Sequence, residues 1–103
     1  MMEEIPIACG LSDEELRIRE TTLLERFKSH VIATRELADG YSFELHGDRE
    51  VLAMVAEMMA AERECCPFLR FQLTAEPRMG ALQLFVTGPF GAKAFLKAHF
   101  VES

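Results

Sequence analysis

Two adjacent cysteines, Cys65 and Cys66, are followed at once by Pro67, and Glu62 stands three and four residues before them. Spacing of three to four places side chains on one helical face, so both sulfurs fall one turn beyond the carboxylate. Neighbouring thiols can hold one soft ion together, since ionised sulfur suits Zn(II), Cu(I), Cd(II), Hg(II) or As(III). They can also respond to oxidants, although a ring disulfide between neighbours is strained and easily reduced. Cys9 is the chain's third cysteine, three residues before Ser12. Beside the positive end of a helix starting there, its thiolate would be favoured. The expected metal ligands are therefore Cys9, Glu62, Cys65 and Cys66, with zinc as the representative ion; His30 or His46 could complete a tetrahedral set. The separation of Cys9 from the pair is not the C-x2-C spacing that marks a zinc ribbon.

A different use of the same residues is purely structural. Free cysteine packs as a small hydrophobe, and Glu62 could extend its head to water from the end of a helix. The rival function is thus a non-catalytic packing or dimerisation domain with structural cysteines. In a third reading, a thiol enzyme, Cys66 is the nucleophile and Glu62 its base; that needs a cleft and a lowered thiol pKa. The negative end of the helix works against such lowering, and Arg63 and Arg70 are the cations available to offset it.

The elements that must position these groups are legible from periodicity. Ser12 and Glu15 form a capping box flanked by Leu11 and Leu16, so a helix starts near Asp13. Leu16, Leu23, Leu24 and Phe27 continue it to about Ser29. Val31, Ala33 and Leu37, then Tyr41, Phe43 and Leu45, alternate as a hairpin. A three-residue loop over Ala38 to Gly40, with Gly40 left-handed, would put all six on one face. Asp48 caps a long helix from Arg49 to Cys65, which Pro67 terminates.

Along that helix Val51, Leu52, Val55, Met58, Met59, Glu62, Cys65 and Cys66 share an arc of about 140° with Glu62 at its middle. A carboxylate turned into an apolar interior needs a partner or a proton; Arg17, Arg19 and the Tyr41 hydroxyl are candidates. A second hairpin follows: Leu69, Phe71, Leu73 and Ala75, a turn within Glu76 to Gly80, then Leu82, Leu84 and Val86. Gly88 and Pro89 open a last helix, with Pro89 in its first turn and Ala92, Phe95, Leu96 and His99 on one side. His99 reads as a satisfied core histidine, and Met54, Met58 and Met59 as core filler. The expected fold is α+β: a two-layer sandwich with a four-stranded, mainly antiparallel sheet, helices on one face and the order α-β-β-α-β-β-α.

The segments IACGLSDEEL (residues 7–16) and ERECCPFLRFQL (residues 62–73) resemble a small uncharacterised bacterial protein family with an ACxL N-terminus and a central ECCPF element. That resemblance implies a bacterial cytosolic protein; it assigns no activity, and no functional residue is carried over from it.

Composition sets the outer bounds. With 103 residues the chain makes one domain, 1–103. Its 17 acidic against 11 basic residues give a net charge of -6, which disfavours a broad electrostatic grip on nucleic acid or anionic lipid. No apolar run spans a bilayer and the N-terminus lacks a signal-peptide pattern, so a cytoplasmic location is expected, without membrane or nucleic acid as partner. Phe90, Phe95 and Phe100 could cover the sheet or form the seam of a homodimer.

Overall fold

The structure, a computed structural model, describes residues 14–102. Helix α1 (Glu14–His30) carries Glu14 and Glu15 in its first turn and Lys28 and His30 in its last, each sign at the end of the macrodipole that favours it. It runs directly into β1 (Val31–Leu37), which pairs with β2 (Gly40–Leu45). Helix α2 (Arg49–Cys65) crosses to β3 (Arg70–Ala75), which pairs with β4 (Leu82–Thr87), and the chain ends in α3 (Ala92–Leu96) and a π-helical turn, Lys97–Val101. All pairings are antiparallel and the sheet order is β1-β2-β4-β3. This is the expected α+β order.

The sheet's inner face follows from register. Tyr41, Phe43 and Leu45 on β2 lie opposite Val86, Leu84 and Leu82 on β4, and all six are buried. Helices cover them: Phe27 of α1 stacks edge-on against Phe43 at 5.4 Å between centroids, and Phe100 of the terminal turn meets both rings at 6.2 and 6.0 Å. Such edge-to-face clusters add to the area they bury.

The first hairpin differs from expectation. Leu37 pairs with Gly40, leaving a two-residue loop, Ala38 and Asp39, rather than three residues. Gly40 is not left-handed; among described glycines only Gly91 has positive φ, 95°. A side chain at Gly40 would instead collide with the Val86 carbonyl oxygen across the β2–β4 ladder. With this register Glu36 faces Tyr41 and Thr34 faces Phe43, while a bulge between Val31 and Ala33 lets Val31 stay opposite Leu45. An edge strand tolerates such polar residues because they remain exposed along almost its whole length.

Three further details sharpen the expectation. Pro89 precedes the last helix: it accepts from the Ala92 amide at 2.9 Å, and Gly91 is the N-cap. Asp48 occupies the N-cap of α2 in an extended conformation but makes no side-chain capping bond. On α2, Met54 is buried and Leu52 is 39% exposed, so the inner face is rotated slightly toward Met54. Glu62 stays inside it.

Candidate functional site

Glu62 is completely buried. Its partners are neither Arg17, Arg19 nor Tyr41. Cys66 donates its thiol hydrogen to Glu62 Oε2 at 3.5 Å, and His99 Nε2 lies 3.7 Å from the same oxygen. His99 is held more closely by Glu20 of α1, with Nε2 to Oε1 at 3.0 Å, and Thr21 donates its hydroxyl to Glu20 Oε2 at 3.5 Å. Glu62 Oε1 has no hydrogen-bond partner. An orphaned buried carboxyl oxygen in a native core calls for a physical explanation, and an ion is one.

Three elements build this cluster. Helix α1 supplies Glu20, the last turn and C-cap of α2 supply Glu62, Cys65 and Cys66, and the π-helical turn supplies His99. That turn, closed by the Glu102 amide on the Lys97 carbonyl at 2.8 Å, carries the imidazole, and such turns recur at functional positions. Phe95 and Phe100 flank the His99 ring at 5.0 and 5.6 Å and limit its rotation.

The electrostatics are those of a shared proton store. Burial pushes the Glu62 carboxyl up to about 7, and Glu20 adds to the rise while His99 opposes it. Burial also acts to raise Glu20, but the His99 hydrogen bond, the neighbouring Glu62 carboxyl, the imidazolium charge and the Thr21 hydroxyl outweigh it and bring that group down to about 2. The hydrogen bond to Glu20 and then the nearby Glu62 carboxyl raise His99 to about 9 against the effect of burial. Burial, followed by Glu62 and Glu20, pushes the Cys66 thiol far above its ordinary range. Near neutrality the cluster therefore holds imidazolium beside the Glu20 carboxylate, with the Cys66 sulfur protonated.

That state speaks against the nucleophile reading. Cys66 has a carboxyl at hydrogen-bonding distance, but it is fully buried and its thiol is harder to ionise, not easier. Arg63 and Arg70, the cations available to offset this, are exposed.

The expectation of free thiols holds only in part. Cys66 is free and buried. Cys65, equally buried, is disulfide-bonded, so in this state it is no thiolate ligand and no member of a vicinal dithiol. Cys9 lies outside the described residues. His46 is exposed, and His30 binds the Arg26 carbonyl at 2.8 Å on the surface of α1.

Two overlapping groups could hold a metal ion among the described residues: Glu62, Cys66 and His99, and Glu20, Glu62 and Cys65, with the ligand atoms of each group within 4.8 Å of one another. Glu20 and His99 are thus the residues that sequence reasoning missed. Glu20 was within reach of it, since Leu16, Glu20, Leu23, Leu24 and Phe27 follow the same three-to-four spacing that singled out Glu62. His99 falls on the apolar side of the last helix and reads as a satisfied core histidine, but its partners are not legible, because its approach to Glu20 and Glu62 depends on how the last helical turn docks.

No family model matches this chain, and neither a curated protein nor a solved structure matches it. Among the described residues no helix is long and apolar enough to cross a membrane.

Proposed function

We propose that this protein binds a borderline-to-soft divalent cation of the zinc class through Glu62, Cys66 and His99. The observation that carries this reading is Glu62, wholly buried, one oxygen without a partner, and a thiol and an imidazole within 4.8 Å. One sulfur, one imidazole nitrogen and one carboxylate oxygen form a donor set that zinc accepts. A cation there would displace the protons of Cys66, Glu62 and His99 and give Glu62 Oε1 a charge to face. In the metal-free protein the His99 nitrogen that faces Glu62 is held by Glu20, so a cation at that nitrogen takes the place of the Glu20 hydrogen bond.

Titration with Co(II) as a spectroscopic stand-in tests this. Binding should bring up a thiolate-to-cobalt charge-transfer band, which Zn(II) competes away and Cys66→Ser abolishes. No band and no affinity for Zn(II), with the protein either oxidised or reduced, overturns the reading. A packing domain with structural cysteines is the second reading, and the complete burial of Cys65 and Cys66 supports it. In that case Cys66→Ser costs stability and changes nothing in metal uptake.

A further inference from the structure

Cys65 stands apart from the three proposed ligands only by its covalent state. Its Sγ lies within 4.8 Å of a Glu20 and a Glu62 carboxylate oxygen, all three residues are buried, and Glu62 Oε1 has no partner. Yet Cys65 is disulfide-bonded while its neighbour Cys66 is free, so the two are not joined to each other. A disulfide sulfur is a poor donor to zinc; a thiolate is a strong one.

We propose that the metal site is redox-gated, with Cys65 as a ligand that the disulfide withholds and reduction releases. The inference rests on the metal reading above and adds its regulation. The chemistry is a two-electron exchange with a dithiol. The S–S bond of Cys65 breaks, two S–H bonds form from two electrons and two protons, and the dithiol closes to its own disulfide. Cys65 then loses its proton to solvent as it takes the cation. Glu62 belongs to both ligand groups, so an ion at its carboxylate has Cys66 and His99 in reach through one group and Cys65 and Glu20 through the other. Oxidation reverses the sequence and removes one of the two sulfurs, the softest class of donor present.

The test compares Zn(II) affinity, by chelator competition, for the oxidised protein and for protein reduced with a non-chelating phosphine. Reduction should tighten binding on the order of 10- to 100-fold, at least the range lost when a supporting partner is removed from a metal site. Cys65→Ser should keep the weak affinity and lose the response to reductant. Equal affinity in both redox states, or a Cys65→Ser protein that still responds, overturns the gate while leaving a metal site at Glu62, Cys66 and His99. Absence of binding in both states overturns the metal reading itself.

Discussion

At the scale of single residues, the cost of Glu62 defines what it is for. An acid sealed from water with one oxygen unpaired is a burden to the metal-free fold, and an apolar side chain of similar length would remove it. Glu62→Met should therefore raise the stability of the metal-free protein by roughly 1–3 kcal/mol, the usual penalty of an unsatisfied buried group, and weaken Zn(II) binding. Urea unfolding and chelator competition on the same sample read the two effects. Loss of stability in that variant would mean that Glu62 is already satisfied as it stands. The arc along α2 made this carboxylate visible in the sequence, because 100° steps decide which face it shares whatever the fold. The disulfide at Cys65 was not visible, since pairing depends on which distant segment returns to the helix end.

At the scale of elements, periodicity carried strands and helices and failed at their joints. Alternation in β2 and β4 and the proline after α2 are local signals, and the residues they involve fold as those signals require. The first hairpin went the other way. Matching apolar faces suggested a three-residue loop, but β1 is an edge strand, so little burial depends on its face and the two-residue register wins. The second hairpin turns through Arg78 and Met79, both left-handed at φ 61° and 59°, with the Gly80 amide bonded to the Pro77 carbonyl at 3.1 Å. Two consecutive left-handed residues suit a type I′ turn, where Asn and Gly are preferred and side chains such as these pay about 1 kcal/mol or more each. Arg78→Asn combined with Met79→Gly should stabilise the protein by about 1–2 kcal/mol in thermal unfolding. A neutral or negative result would show that the turn's strain is offset by contacts of those two side chains.

At the scale of the whole molecule, the cluster makes stability and metal affinity respond to pH in opposite directions. His99 sits at about 9 instead of 6.5, so its contribution is complete below 6.5 and disappears as pH rises through 9. Glu62, at about 7 instead of 4.5, costs the fold least below 4.5, where it is protonated, and its buried charge costs progressively more as pH climbs from 4.5 through 7. Glu20 is opposite in sign: held at about 2 instead of 4.5, it stabilises above 4.5 and stops doing so as pH falls through 2. For these three groups, metal-free stability should peak near pH 4.5, where the Glu20 contribution is complete and that of Glu62 begins to fall, and decline from there toward pH 9. Chemical denaturation across that range checks it, and a metal-free protein that grows more stable from pH 6 to 9 refutes it. Zn(II) affinity should instead rise with pH, because each ligand must shed a proton to bind.

The imidazole of this cluster is carried on the final turn of the described chain, where helices ordinarily fray. Here the end is fastened twice: His99 is hydrogen-bonded to Glu20, and the Lys28 ammonium donates to the Glu102 carbonyl at 3.4 Å. Peeling that turn away and withdrawing a nitrogen donor are consequently one event. Amide hydrogen exchange at residues 97–102 would therefore slow on cation uptake in step with occupancy, turning the tail into a built-in reporter of what the core is holding.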